Sequence, residues 1–283
     1  MEIIDNKNII YKNSKSFFWA SKFLPSKILE KVINIYSFCR TQDDRVDEGI
    51  DFEDPSEIIK LQELLKSYGI GDNLLNELIS GVNSDKDFIR YENNSELLRY
   101  CYKVAGVVGL MMTNALEIDN KEAKYFAIDL GIAMQLTNIS RDVMQDYKKN
   151  RIYLPKNTRI DSSIFEDMNK KNEVKINKNV RGLLIKADIY YKSSLNGIRY
   201  IPVKSRIAIL VALRIYQAIG LKIKKTGTKF LYENIYVTRA EKIIIVFKAI
   251  IEFLIFFIFP VHREKHNAKL HESLLGLSDV NTR

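Results

Sequence analysis

The chain has 283 residues, of which 46% are hydrophobic, and it carries a formal net charge of +9. Its length is ample for one large buried core, whereas only 12 Gly and 5 Pro disfavour a many-stranded sandwich or barrel, and 11% aromatic residues disfavour disorder. The two cysteines, Cys39 and Cys101, provide neither a disulfide framework nor a zinc cluster, and the N-terminus lacks the order of a signal peptide, so a reducing, cytoplasmic environment is expected.

Helical periodicity predicts that most of the chain is helical. In residues 28–47, for example, apolar side chains return to one face every three or four positions after the stop signal at Pro25. The polar stretch 150–179 is predicted to be mainly loop, with one short helix at most. No repeat or linker is visible, so a single all-α domain over residues 1–283 is expected. The predicted helices are 28–47, 57–68, 74–82, 92–116, 122–146, 180–200, 202–225 and 240–259.

The most apolar segment is residues 243–259, IIIVFKAIIEFLIFFIF. A membrane span takes about 20 mostly apolar residues, and here Lys248 and Glu252 interrupt a shorter run. Three interpretations stay open: a buried core helix with one solvated edge, a helix lying in the membrane interface, and a true span.

The charge is divided unevenly along the chain. Residues 1–146 hold 17 Lys and Arg against 24 Asp and Glu, whereas residues 147–283 hold 27 against 11. A protein that only binds nucleic acid would not need the acidic half, and no aromatic-basic strand or groove-binding helix is recognisable. Nucleic-acid binding is therefore not expected.

The segment FCRTQDDRVDEG contains a first acidic stripe. Asp43 and Asp47 are four residues apart, so both carboxylates leave the same face of a helix. Like charges at this spacing destabilise a helix only slightly. The pair alone is therefore compatible with a solvated surface or with a metal site.

The segment QLTNISRDVMQDYKKNRIYLP contains a second stripe, with Asn138, Asp142 and Asp146 at a spacing of four and Gln135 one turn earlier. The apolar neighbours predict a largely buried helix, and buried carboxylates need a cation or hydrogen bonds. Mg²⁺ prefers such oxygen ligands together with substrate phosphates. The two stripes together predict a divalent-cation and diphosphate site. Arginines that suit phosphate oxygens, or pair with the carboxylates themselves, lie beside the stripes: Arg40, Arg45, Arg141 and Arg151.

Four motifs follow one another along the chain: SKSFFWASKFLP (14–25), IYSFCRTQDDRVDE (35–48), LLRYCYKVAGVVGLM (97–111) and QLTNISRDVMQDYKKNRIYLP (135–155). In this order and at this spacing they resemble the squalene/phytoene synthase family of head-to-head prenyl transferases, and a weaker match follows at 214–223. The resemblance implies a helical bundle of the isoprenoid synthase type around a deep apolar cavity with metals at its mouth.

The resemblance also implies roles for individual residues. The implied metal ligands are Asp43, Asp47, Asn138, Asp142 and Asp146, and the four aspartates among them are catalytic candidates. Tyr100, which would line the reaction cavity, is a further catalytic candidate, and Tyr153 is a wall or proton-handling candidate, although core packing would explain both tyrosines. The implied substrate-binding residues are Asn13, Ser14, Lys15, Ser16, Tyr36, Arg40, Gln135, Arg141 and Tyr216, to which Arg151 and Tyr153 are added.

The sequence departs from the family pattern at two positions. Asn13 stands where relatives often have His, and Asn234 stands where they often have Arg. The second change weakens one diphosphate contact. Neither touches an expected metal ligand, so activity is expected to survive.

The implied reaction joins two prenyl diphosphates through a cyclopropylcarbinyl diphosphate, with two or three Mg²⁺ (or Mn²⁺) ions bridging the diphosphates. The residues of the motifs most resemble those of family members that join two geranylgeranyl diphosphates to phytoene in carotenoid biosynthesis, and this reaction is therefore favoured. Alternatives are two farnesyl diphosphates giving presqualene diphosphate, squalene or dehydrosqualene, and a non-catalytic membrane adaptor or assembly factor. No glycine-rich dinucleotide loop is present, so NADPH is not expected. The oily product and the segment 243–259 favour peripheral membrane contact, and a downstream desaturase is a candidate partner.

Overall fold

The computed structural model describes residues 15–47, 49, 55–86, 88–259 and 263–282. Within these ranges the chain forms a bundle of eleven α-helices, and a π-helical turn, Tyr102–Gly106, joins the fifth to the sixth. Two-residue strands β1 (Ile89–Arg90) and β2 (Arg151–Ile152) pair in parallel. The predicted all-α class is confirmed, while a single domain over 1–283 stays a prediction. The helices are α1 (Lys15–Ser21), α2 (Ser26–Asp47), α3 (Pro55–Ser67), α4 (Asp72–Asn83), α5 (Asn94–Cys101), α6 (Val107–Ala115), α7 (Lys121–Lys148), α8 (Ser162–Glu166), α9 (Lys170–Leu195), α10 (Val203–Thr226) and α11 (Arg239–Ile258).

The start of α9 is a correction to the sequence analysis. We expected mainly loop up to residue 179, but the helix begins at Lys170. The side chain of Asn169 caps it by accepting a hydrogen bond from the backbone N–H of Asn172 at 3.0 Å. Its first turns are polar because they face solvent, while Ile176 is buried. The polar composition therefore marked an exposed helix face and not a loop.

Helix α7 is the central element, and it contacts α9, α6 and α10. Two glycines bring α6 and the π-helical turn against its backbone. A Cβ on Gly131 of α7 would lie 2.2 Å from the carbonyl oxygen of Ala105, and a Cβ on Gly109 of α6 would lie 2.2 Å from that of Ala127. A larger residue at Gly131 would push the π-helical turn away from α7, and one at Gly109 would push α6 away from α7.

Helix α9 runs antiparallel to α7 on another side. The Tyr191 hydroxyl lies 3.0 Å from the Thr137 hydroxyl, in the second half of α7. Six residues further along the chain, Gly197, just beyond α9, packs against Phe126 near the start of α7. The two helices thus form a long wall.

Helix α11, which contains most of the apolar segment 243–259, lies on the surface of the bundle. It packs on α10, where Arg214 binds Glu252 and Lys222 binds Glu241. Its residue Ala249 is buried, but several large apolar side chains are exposed. The interpretation of this segment as a buried core helix is therefore wrong. None of the described helices is long and apolar enough to cross a membrane.

Candidate functional site

A deep apolar cavity of about 300 Å³ lies between α1, α2, α6, α7, α10 and the end of α9. On α7 its lining residues recur every three or four positions from Ala123 to Asn138, a stripe of roughly 22 Å at 1.5 Å per residue. Phe126, Gly197 and Ile198 lie at one end of the cavity, which we call the floor. Asp43 and Asn138 lie at the other end, the mouth, so the predicted cavity with polar groups at one end is present.

The first stripe lies on the last turns of α2. Asp43 lines the cavity, where the residue is exposed, but the dense protein around its carboxylate raises its pKa to about 7, and the nearby carboxylates of Asp47 and Asp85 add to the effect. Burial would also raise the pKa of Asp47. Hydrogen bonds from Lys149 at 2.7 Å and Arg151 at 2.6 Å outweigh that effect, so its pKa lies below the ordinary value.

The second stripe lies on the last turns of α7. Arg141 holds Asp142 through two hydrogen bonds, Nε to Oδ1 at 2.7 Å and Nη2 to Oδ2 at 2.5 Å. Among the described residues, none forms such a pair with Asp146, and burial, with the neighbouring charge of Asp142, raises its pKa to about 8. Asn138 is held only weakly by Gln135, at 3.4 Å.

The two stripes meet around Arg151 and Asp85. Arg151 donates to Asp47 of the first stripe, and its positive charge acts on Asp146 of the second. Asp85 acts electrostatically on Asp43 and on Asp146. The helices thus bring the two predicted stripes to one mouth, although they are about a hundred residues apart in the sequence.

The donor set at the mouth fits divalent cations. It offers carboxylate and amide oxygens, which are the ligands of Mg²⁺. The buried Oδ1 of Asn138 accepts no hydrogen bond from the described residues, and a buried acceptor without a partner is costly. The raised pKa values of Asp43 and Asp146 show that their negative charges are poorly compensated by the protein. A cation bound among these oxygens would relieve both deficits.

Asp85 is a site residue that the sequence analysis missed. It lies in a 3₁₀ turn, Ser84–Lys86, directly after α4. Its carboxylate accepts hydrogen bonds from Tyr100 at 2.8 Å and from Tyr153 at 3.0 Å, and the two hydroxyls are 3.1 Å apart. The rings of the tyrosines stack at 5.1 Å. Burial raises the pKa of Asp85 to about 6. An isolated aspartate without periodic partners gave no sequence signal.

The remaining predicted substrate-binding residues are also placed near the mouth where the structure describes them. Tyr36 and Tyr216 flank the ring of Phe17, with centroids 6.1 Å and 5.6 Å away. Arg40 binds Asp44, Nε to Oδ2 at 3.0 Å. Asn13 and Ser14 lie outside the described residues, as do the side chains of Lys15 and Ser16. Asn234, which stands where relatives often have Arg, accepts a hydrogen bond from Gln145 at 2.8 Å.

A separate buried cluster, Asp129, His266 and His271, has metal-binding residue types within 4.8 Å but does not suit a metal. The backbone N–H of Asn281 points at Nδ1 of His271 at 2.9 Å, and an N–H can only donate. The proton of that imidazole is therefore on Nε2, which donates to Asp129 at 3.1 Å. His266 has the same arrangement, with the side-chain amide of Asn281 at its Nδ1 and Asp129 at its Nε2. The cluster is a closed hydrogen-bond network.

The chain is similar in sequence and in structure to known proteins. The model of the squalene/phytoene synthase family matches residues 10–59 and 53–241. A phytoene synthase of Pseudescherichia vulneris is 30% identical over 263 residues, covering 81% of this chain and 85% of that protein. A 4,4'-diapophytoene synthase of Staphylococcus haemolyticus is 30% identical, covering 81% and 89%. The crystal structure of a dehydrosqualene synthase superimposes with a TM-score of 0.72 at 26% identity, covering 89% of this chain and 96% of that one.

Proposed function

The chain belongs to the squalene/phytoene synthase family, and on that premise we propose that it condenses two geranylgeranyl diphosphates head to head to phytoene, with two or three Mg²⁺ (or Mn²⁺) ions. It is a prenyl-transferring enzyme, so the interpretation as a non-catalytic adaptor is set aside. The observation that carries the proposal is the convergence of both carboxylate stripes at the mouth of an apolar cavity. Bacterial relatives named phytoene synthase support the C20 substrate.

The proposed ligands of the ions are Asp43 and Asp47 on α2 and Asn138, Asp142 and Asp146 on α7. When bound, the ions would stabilise the negative charge that develops on the leaving diphosphate.

Arg40 and Arg141 would add their guanidinium groups to this stabilisation. In the free enzyme both are paired with carboxylates, Asp44 and Asp142. These pairings keep both arginines beside the stripes, and Arg141 becomes available for a diphosphate when a cation takes its place at Asp142.

The cavity would hold the prenyl tails and keep water from the carbocations. The first substrate loses its diphosphate to give an allylic cation, the double bond of the second attacks it, and loss of a proton gives a cyclopropylcarbinyl diphosphate. That intermediate loses its own diphosphate, rearranges and loses a second proton to give the hydrocarbon. Overall, two diphosphates and two protons leave. Asp85, with Tyr100 and Tyr153, is our candidate for holding a released proton, because its pKa of about 6 suits proton exchange near neutral pH.

The second candidate shortens the substrate to two farnesyl diphosphates. Presqualene diphosphate and dehydrosqualene follow from the same steps, whereas squalene would also need a hydride from a reductant in place of the second proton loss. The relative named 4,4'-diapophytoene synthase and the dehydrosqualene synthase structure favour the second candidate. Incubating the enzyme and Mg²⁺ with each diphosphate, and with both together, followed by mass spectrometry of the extracted hydrocarbon, separates C40 from C30. Only C30 hydrocarbon from the mixture would overturn the C20 proposal.

The metal assignment has its own test. Asp142→Ala should abolish Mg²⁺-dependent turnover while the helical circular dichroism is retained. Asp188→Ala is the matched control, because Asp188 pairs with Lys224 on the surface, away from the mouth. Unchanged turnover in the Asp142 variant would remove that residue from the site. We further propose a cytoplasmic enzyme in peripheral contact with a membrane, whose hydrocarbon product passes to a downstream enzyme such as a desaturase.

A further inference from the structure

Three charged side chains of helix α11 are paired with α10 or buried against the protein. Glu252 binds Arg214 of α10, Nε to Oε2 at 2.8 Å, and Glu241 binds Lys222 at 2.8 Å. Lys242 is also buried. The rest of the inward side is apolar, with Ala249 buried and Ile245 and Phe253 packed against the core. Because α11 is apolar on both sides, the ion pairs with α10 fix which apolar side faces outward.

The outward face of α11 is almost entirely apolar. At 100° per residue the exposed side chains span roughly 120° of the helix, and they extend over roughly 22 Å. Lys248, at one edge, is the exception. The exposed fractions are 58% for Ile243, 54% for Ile244, 64% for Phe247, 44% for Ile251, 52% for Leu254, 44% for Ile255 and 69% for Ile258.

This face, which we call the α11 face, offers little to a protein partner. Standard interfaces bury about 20–30 residues a side and form about ten hydrogen bonds. The α11 face has seven side chains in a strip one helix wide, and none of the seven can form a hydrogen bond. A second copy of the chain would leave most of a stable dimer interface to be found elsewhere.

The surroundings of the α11 face match an anionic lipid surface. Lys248 borders the face, and Arg239 begins the helix, both exposed. Beyond its other end, Arg263 and Lys265 are exposed as well, with the exposed Glu264 between them. An apolar face bordered by basic residues is the pattern of a helix that lies in the headgroup region, and anionic lipids attract such residues.

We propose that α11 lies flat in the surface of an anionic bilayer, with the α11 face inserted among the lipid chains. The ion pairs show that α11 runs antiparallel to α10, because Lys222 meets Glu241 and Arg214 meets Glu252. Helix α10 also lines the cavity. The membrane would therefore lie along the cavity from mouth to floor, with one helix between them. This inference stands on the α11 face and is independent of the substrate and of the reaction.

The test is flotation of the purified full-length protein with vesicles. Vesicles of phosphatidylcholine with phosphatidylglycerol should bind the protein, and vesicles of phosphatidylcholine alone should bind it several-fold less. The double variant Phe247→Glu, Leu254→Glu should lower the partition coefficient about tenfold or more, since it places charges where apolar side chains insert. Both positions are already exposed, so the fold should be unaffected.

The matched control is Ile185→Glu, Ile189→Glu, at two exposed isoleucines of α9 that are 59% and 52% accessible. It introduces the same chemistry outside the α11 face and should bind vesicles as the parent does. Absence of flotation with anionic vesicles, or equal loss in both double variants, would overturn the proposal. So would a dimer in light scattering that only the α11 variant dissociates, since a second copy would then cover the face. Equal binding to neutral vesicles would refute the anionic requirement.

Discussion

The closed network around Asp129 makes a quantitative stability prediction. Asp129 is fully buried and accepts hydrogen bonds from Nε2 of His266 at 3.0 Å and of His271 at 3.1 Å. Burial would raise its pKa, but these two bonds outweigh burial and hold the pKa below the ordinary value. The residue ties the C-terminal segment, 263–282, to α7. We therefore consider the change Asp129→Asn, which keeps the size and removes the charge.

The amide cannot satisfy both imidazoles. Its oxygen can accept from one Nε2–H, but its NH₂ group then faces the other donor. His271 cannot move its proton to Nδ1, because the backbone N–H of Asn281 points there at 2.9 Å. One buried donor thus stays unpaired, which costs about 1–3 kcal/mol, and the other bond loses its charge-assisted part. We expect a loss of about 3 kcal/mol in the free energy of unfolding, or roughly 6–12 °C in Tm for a chain of this size.

Differential scanning calorimetry measures this loss. Asp188→Asn is the control, because it removes the charge of an ion pair at the surface, which contributes about 1 kcal/mol at most. A Tm loss in Asp129→Asn no larger than in the control would refute the tautomer argument. Tighter Zn²⁺ binding by the parent than by Asp129→Asn would refute the exclusion of a metal from this cluster.

Three further predictions concern the mouth and the floor. The pKa values of Asp43 and Asp146 are about 7 and 8 in the folded enzyme but about 3.9 in the unfolded chain. The folded state therefore binds more protons, so the stability of the metal-free enzyme should fall as pH rises from about 4 to 8. Mg²⁺ should raise Tm more at pH 8 than at pH 6, and an equal Mg²⁺ effect at both pH values would contradict this prediction. Asp85→Asn should lower kcat about 100-fold in steady-state assays, against a smaller loss for Tyr153→Phe; equal kcat in parent and Asp85→Asn would exclude the proton role. Phe126→Leu should deepen the floor and raise the ratio of C40 to C30 product in mass spectra, and an unchanged ratio would place the limit on chain length elsewhere.

The parts of the site that could be predicted from the sequence are those whose residues recur at helical spacing. Asp142 and Asp146 recur every four residues along one helix, and Asp43 and Asp47 do the same, so helical geometry alone aligns each pair. The bundle then brings the two helix ends together. Asp85 has no partner at helical spacing, and only the fold of the chain after α4 places it beneath Tyr100 and Tyr153.

The rotation of α11 about its own axis could not be predicted from the sequence either. Its residues are apolar nearly all round, so periodicity could not identify the inward face. The choice depends on Arg214 and Lys222 of α10, which bind the two glutamates of α11 from another helix. Likewise, Asp129 and His271 are 142 residues apart, and a single aspartate within the apolar stretch of α7 does not indicate its partner.

The ion pairs at the mouth couple cation binding to diphosphate binding. Asp47 holds Lys149 and Arg151, and Asp142 holds Arg141. A cation that binds these two carboxylates competes with the three basic side chains, which then become available for a diphosphate. Coupling of this kind is reciprocal, so diphosphate must also strengthen cation binding, typically by 5–150-fold. Titration calorimetry with inorganic pyrophosphate should therefore show weak binding to the metal-free enzyme and at least fivefold tighter binding with Mg²⁺ after correction for Mg²⁺–pyrophosphate complexes in solution. In Asp142→Ala, Arg141 is already released, so the gain from Mg²⁺ should be smaller, and an undiminished gain would show that the carboxylates do not mediate the coupling.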